Sequence, residues 1–296
     1  FALNPAYNKW VELFPGLQSA VIAAAEATGA KLVVMDNLYM YGDTHGEPIT
    51  EDLPTIAHTK KGKLRAQMAN DLMDAHNAGR IKAVVGRASD FFGERVMAAA
   101  LGGNLVIEKA LAGQAAQVVG DVDQPHSQTY IADIGRALVT LAEHDDALGQ
   151  VWHLPTAPAI TIREALAIIY DEAGRPLKIQ PMPKMLLRVV GLFMPDAGEM
   201  IEMIYEFEQP FIMDDRKFVE RFGWHATIRL GADVQQQVSA RGADGLQHSQ
   251  DTVRVIAVWQ GLGAVEVAPT DAVKGHARFP RAAFIGGDDF LFGRLT

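Results

Sequence analysis

Apolar and polar positions follow two rhythms along this chain, and the first ninety residues show both. Residues 10–28, WVELFPGLQSAVIAAAEAT, are alanine-rich with apolar side chains at helical spacing, and Gly29 stands where a C-cap is expected. KLVVM at 31–35 is short and almost wholly apolar, the pattern of a parallel strand covered on both faces. A loop with Gly42, Gly46, Pro48 and Pro54 follows. A second helical stretch runs from about 59 to 78, closed by Gly79, and IKAVVG at 81–86 reads as a second buried strand. This order of helix, strand, loop, helix and strand predicts an α/β doubly wound sheet.

The same reading continues downstream. AQVVG (116–120) and VWHL (151–154) have strand character, with an amphipathic helix between them in IADIGRALVTLAEH (131–144). In TIREALAIIYDEAGR, Thr161 and Glu164 have capping-box spacing, and the helix should stop near Gly174. Residues 183–207 read as helical, and Asp214 or Asp215 as the cap of a last helix, RKFVERFG. After about Ala226 the texture changes: GADVQQQVSARGADGLQHSQ has little apolar periodicity, which marks a boundary.

Composition narrows the function classes. The 296 residues are 49% hydrophobic, enough for a substantial core. A net charge of −9 argues against a nucleic-acid partner. Residues 227–296 hold seven basic and seven acidic side chains, so the acidic excess lies in residues 1–226. The absence of cysteine excludes disulfides and thiolate metal sites and fits a cytoplasmic protein; no metal site is expected. The best apolar run, MLLRVVGLFM, is interrupted by Arg188 and falls well short of the roughly 18 residues of a membrane span, and no signal peptide is visible. The chain opens abruptly on Phe1 in FALNP, so upstream residues are expected to be missing.

Candidate chemistry gathers where the two strands end, because doubly wound sheets bind ligands beyond the carboxyl ends of their strands. Asp36 and Asn37 follow the first strand directly; Arg87, Ala88, Ser89 and Asp90 follow the second. Between them lies AHTKKGKLRAQM (57–68), a basic start to a helix whose N-terminus itself favours acids. Lys60, Lys61, Lys63 and Arg65 all crowd that start, as though awaiting an anion.

These segments together resemble the extended short-chain dehydrogenase/reductase family, the NAD-dependent epimerase/dehydratase group. The resemblance rests on DNLYMYG, PITEDLP, TKKGK and GRASDFFG in that order, then on YIADIGRALV and TIREALAIIYDEAGRP, and covers about residues 1–225. It implies a Rossmann-like doubly wound parallel sheet, truncated at its N-terminus, with a smaller C-terminal α/β substrate domain. The implied division is a partial dinucleotide-binding domain over 1–150, a substrate domain over 151–226 and an unassigned extension over 227–296. It also implies an NAD or NADP cofactor, a small carbonyl or sugar-type substrate, and a homodimer through the helices at 10–28 and 59–78.

By the same resemblance, the family's Tyr-x-x-x-Lys pair falls on Thr59 and Lys63 and its serine or threonine on Asn37, which makes these three the expected catalytic positions. Lys63, Asn37, Ala88 and Ser89 would face the cofactor. Asp36, Asp90 and His126 would face substrate, His126 standing where nucleotide-sugar members commonly carry an arginine. The departures matter. Threonine cannot replace a phenol as proton donor, since an aliphatic hydroxyl ionises far above a phenol's pKa of about 10. Asp36, Asp90, Tyr39, Tyr41 and His58 are the local groups that could carry the proton, with Tyr41 and His58 read first as structural and solvated. Lys60 and Lys61 are expected to face solvent, lying roughly 300° and 200° around the helix from Lys63. The family's glycine-rich turn is absent near Phe1. Gly287 and Gly293 have its outer spacing, but Phe290 fills the middle position, and the match is read as coincidence. The rival reading is a cofactor-binding sensor or scaffold that has lost catalysis.

Overall fold

The computed structural model describes residues 1–93, 96, 104–183, 201–228 and 230. In chain order these form α1 (Trp10–Thr28), β1 (Lys31–Asp36), α2 (Lys60–Asn77), β2 (Lys82–Arg87), β3 (Asp90–Phe92), α3 (Asn104–Leu111), β4 (Ala116–Val118), β5 (Pro125–His126), β6 (Gln128–Tyr130), α4 (Ile131–Glu143), β7 (Val151–His153), β8 (Ile160–Thr161), α5 (Ile162–Glu172), β9 (Ile179–Pro181) and α6 (Arg216–Phe222). Short 3-10 turns add Tyr39–Tyr41 and Ile201–Phe207. Residues 184–200 of the helix expected at 183–207 lie outside the described residues, as does the tail with Gly287, Phe290 and Gly293.

Alternate side chains of β1 are claimed by helices on opposite sides, which is why so apolar a run is stable as a central strand. Leu32 and Val34 pack with Ile22 and Ala25 of α1 and with Leu72 and Ala75 of α2. Val33 and Met35 turn the other way, onto the core built by Ile134, Ala137 and Leu141 of α4. β1 pairs in parallel with β2, Asp36 opposite Arg87, and β2 pairs in parallel with β7, Arg87 opposite His153. The order β1-β2-β7 with helices on both faces is the expected Rossmann-like doubly wound arrangement.

A second, smaller α/β core lies beside it. Phe92, Ile107, Val118 and Val122 pack with Ile162, Leu166, Ile169 and Tyr170, so it draws on both sides of residue 150. The capping box holds: Thr161 Oγ1 accepts from Glu164 N at 3.1 Å, and Glu164 Oε2 accepts from Thr161 N at 2.8 Å. Asp215 occupies the N-cap position of α6 without a side-chain cap, while Asp214 Oδ1 accepts from Arg216 N at 3.0 Å.

Two glycines set the approaches that shape the site. At Gly62 a Cβ would lie 2.6 Å from both Tyr39 O and Ala57 Cβ, so only glycine lets the first turn of α2 rest on the loop after β1. Gly120 has φ +86°, and a Cβ there would collide with the Phe207 carbonyl, so only glycine lets the 201–207 turn rest on the segment after β4. Among the described residues, no helix is long and apolar enough to cross a membrane.

Candidate functional site

Two buried polar clusters occupy the carboxyl ends of β1 and β2. In the first, Asp36 (7% exposed) receives Arg65 Nη2 at 2.7 Å and Arg87 Nε at 3.3 Å. Arg87 Nη1 donates to the Tyr41 hydroxyl at 2.7 Å, which lies 2.8 Å from His153 Nε2, and His153 Nδ1 lies 2.9 Å from the Asp214 carbonyl. A carbonyl only accepts, so Nδ1 carries the proton and Nε2 accepts from Tyr41. The assignment agrees with burial, which drives the His153 pKa down to about 3 and keeps the ring neutral. Arg65 also sits over the rings of Trp10 and Phe14, 5.3 and 4.9 Å from their centroids. The result is a closed network in which each charge has a partner.

The start of α2 answers the question posed by its basic sequence. Its anion comes from within the chain: the Glu202 carboxylate accepts from Lys60 N at 2.8 Å and Lys61 N at 3.2 Å, and lies 3.4 Å from Lys61 Nζ. Lys61 is therefore a correction. Expected to face solvent, it is 1% exposed, with Nζ 4.2 Å from the centroid of the Tyr7 ring. The phase of the helix explains this. Arg65, Met68, Leu72 and Ala75 face the interior, and one turn back from Arg65 on the same stripe stands Lys61. Lys63 lies about 200° around from both, and is exposed. Thr59, buried, uses its hydroxyl to cap α2, accepting from Gly62 N at 3.0 Å.

The second cluster surrounds Asp90. His126 Nε2 is 3.1 Å from Asp90 Oδ2, and the imidazole is stacked between Phe207 and Phe211, at 4.9 and 5.0 Å. Gln128 is the register partner of Asp90 across the β3–β6 pair. Glu206, 3% exposed, has its carboxyl held well above the usual carboxylate range, first by burial and then by the charge of Asp90. Tyr39 and Tyr7 are pushed up mainly by burial, with Glu206 and Asp90 adding to it. Beside this group a cavity of about 400 Å³ is lined by His58, Thr59, Lys60, Ile201, Glu202, Ile204 and Tyr205.

The expected site residues thus fall into two groups. Asp90 and His126 are brought together, while Asp36 and Asn37 are drawn into the closed network, Asn37 Oδ1 accepting from Tyr39 N at 3.2 Å and from Arg65 Nε at 3.4 Å. Ala88 is wholly buried, and Ser89 donates to the Ser127 carbonyl at 2.7 Å. Tyr7, Lys61, Gln128, Glu202 and Glu206 join the site without having been foreseen. Only Lys61 left a signal, in the apolar phase of its helix.

Residues 16–154 carry the NAD dependent epimerase/dehydratase family pattern. The solved structures similar to this chain include the epimerase Mth375 of Methanothermobacter thermautotrophicus, with a TM-score of 0.66 and 15% identity over 86% of this chain and 72% of that one. The dTDP-glucose 4,6-dehydratase DesIV of Streptomyces venezuelae, as a double mutant with NAD bound, follows at a TM-score of 0.64 and 13% identity over 84% and 73%. The UDP-glucose 4-epimerase of Thermus thermophilus, in complex with NAD, gives 0.61 and 17% over 81% and 76%. At these identities the likeness is one of fold. No curated protein matches the chain.

Proposed function

We propose that the chain is an NAD(P)-dependent oxidoreductase-type protein of the epimerase/dehydratase kind, taking a small carbonyl- or hydroxyl-bearing, sugar-type ligand at the Asp90 cluster. The observation that carries this reading is a set of buried, unpaired polar atoms near Asp90, those of His126 and Gln128 lying within the segment that matches the family model. The relatives solved with NAD support the choice of cofactor.

A dinucleotide needs a cradle of backbone amides for its phosphates as well as a face for its nicotinamide. Among the described residues no glycine-rich turn joins a strand to a helix, and the amides of Lys60 and Lys61 are taken by Glu202. The described residues fit a sugar-sized ligand in the 400 Å³ space and not the whole dinucleotide. The polar side chains that line that space are those of His58, Thr59, Lys60, Glu202 and Tyr205. Homodimer formation through α1 belongs to the same proposal, supported by Val11 and Leu13, which stand 60% and 43% exposed on that helix.

A second reading, cofactor binding without turnover, is favoured by one observation: the hydroxyl at the family's tyrosine position is spent capping α2. Calorimetric titration of the full chain with NADH and NADPH, followed by a panel of carbonyl compounds, tests both. Nucleotide binding with consumption of the reduced cofactor supports the first reading. Binding with no turnover selects the second reading, and no binding of either nucleotide overturns both.

A further inference from the structure

Five groups stand near enough in the sequence to carry the proton that Thr59 cannot: Asp36, Asp90, Tyr39, Tyr41 and His58. The fold holds four of them elsewhere. Asp36 is paired with Arg65 and Arg87, and the Tyr41 hydroxyl with Arg87 and His153. Asp90 is bonded to His126, and Tyr39 packs its ring near that of Trp10, 5.9 Å between centroids; neither lines the 400 Å³ space. His58 does line it. Its imidazole rests on the Tyr205 ring, with centroids 5.2 Å apart and planes inclined at 55°.

The other walls narrow the chemistry further. Ile201 and Ile204 are apolar, and Thr59 spends its hydroxyl on Gly62 N. The Glu202 carboxylate is taken by the amides of Lys60 and Lys61, and the Tyr205 hydroxyl is a buried atom. Among the described residues, this leaves the His58 imidazole and the Lys60 ammonium as the polar groups open to a ligand in that space. Imidazole is the side chain that both takes and gives a proton near neutrality, and an ammonium steadies an oxygen that gains negative charge.

We propose that His58 is the acid–base residue of this space, exchanging a proton with an oxygen of a small hydroxyl- or carbonyl-bearing ligand, while Lys60 beside it holds the charge on that oxygen. The inference rests on the functional reading above and deepens it, placing the proton carrier one residue before the position of the family's tyrosine. In one direction the O–H bond of a ligand hydroxyl breaks, its electron pair stays on the ligand oxygen, and an N–H bond forms on the neutral ring. In the other the imidazolium N–H bond breaks, its electron pair stays on the ring nitrogen, and the O–H bond forms again.

The charged and ionisable groups around His58 are Lys60 of the same helix start, Glu202 and Tyr205 of the 201–207 turn, and Asp43 of the loop after β1. Asp43 spends its carboxylate on His45 N, at 2.8 Å, and on the Gln209 amide.

Affinity labelling of the full chain tests the assignment without cofactor or turnover. Bromoacetone, a small carbonyl compound that alkylates imidazole, should label His58 at a rate that saturates with reagent concentration. That rate should be about tenfold or more above the rate at His45, since a bound reagent reacts by proximity. His45, exposed in the neighbouring loop, is the internal standard. Peptide mass mapping reads both positions in one sample of the unaltered chain, so the result does not depend on a variant that folds. Labelling of His58 no faster than His45, or without saturation, overturns the proposal. Where a carbonyl substrate turns over, His58→Gln should lower kcat by about 10²-fold or more with KM little changed, and should remove one limb of the pH profile. An unchanged kcat, or bound nucleotide with no turnover, overturns the acid–base role. Selective labelling in a chain that binds neither nucleotide would sink the oxidoreductase reading alone, and nucleotide binding with unselective labelling would sink only this one.

Discussion

The Asp36 and Asp90 clusters are neighbours at the same sheet edge, begin from the same residue type and reach opposite ends. Around Asp36 the chain supplies two arginines, a tyrosine and a histidine, and the bonds close from Arg65 through to the Asp214 carbonyl. Around Asp90 it supplies an imidazole, an amide and a second carboxyl, and four atoms stay unpaired. A satisfied buried network specifies and stiffens a structure; an unsatisfied one holds capacity for something that binds. The difference separates an aspartate closed into a network from one left open more sharply than position after a strand can.

The strongest way to break the comparison is at Asp36. Asp36→Ala leaves Arg65 and Arg87 buried without their carboxylate, which should cost about 3–5 kcal/mol and be visible in urea denaturation. A loss under about 1 kcal/mol would mean that the network is not what holds this edge together.

The next effect depends on pH. His153 titrates at about 3 in the fold and at 6.5 unpaired, so between those values the unfolded chain binds a proton that the folded chain refuses. Its contribution is present above about pH 6.5 and is lost as pH falls towards 3, with a slope approaching 1.4 kcal/mol per pH unit. His153→Gln should flatten that part of the curve of stability against pH. An unchanged slope would place the acid sensitivity elsewhere.

How much of this was legible beforehand differs between fold and site. Two short apolar runs, KLVVM and IKAVVG, were enough to reveal the sheet, because burial on both faces leaves its mark on consecutive residues. The capping box of α5 was equally plain. Asp90 and His126 could be singled out because one follows a strand and the other stands in a recognisable loop. Glu206 could not, since nothing local in IEMIYEF distinguishes a buried glutamate from one in solvent, and the approach of this turn to Gly120 joins residues far apart in sequence. Tyr7 and Gln128 are long-range partners of the same kind.

Smaller effects sharpen the picture at α2. Thr59→Ala removes the hydroxyl that accepts from Gly62 N and should cost about 1 kcal/mol, with Thr59→Ser restoring most of it. A thermal melt of the two variants checks this. Loss on both substitutions alike would point to the threonine methyl rather than to the cap.

The smallest effect separates two lysines that the motif spacing could not tell apart. The Tyr-x-x-x-Lys spacing selects Lys63, whereas the apolar stripe of α2 selects Lys61, and a helix that must bury Met68, Leu72 and Ala75 cannot bury both. Lys63→Ala, on the exposed face, should shift the urea midpoint by less than about 0.5 kcal/mol. Lys61→Ala should cost clearly more, because it withdraws an ammonium seated over Tyr7 and facing Glu202 and empties the space its stem fills. Equal effects would mean that the first turn of α2 does not hold the phase of the turns after it, and the motif would then outrank the stripe. Unequal effects in the stated order would make helix phase the better guide to which basic residue faces the site.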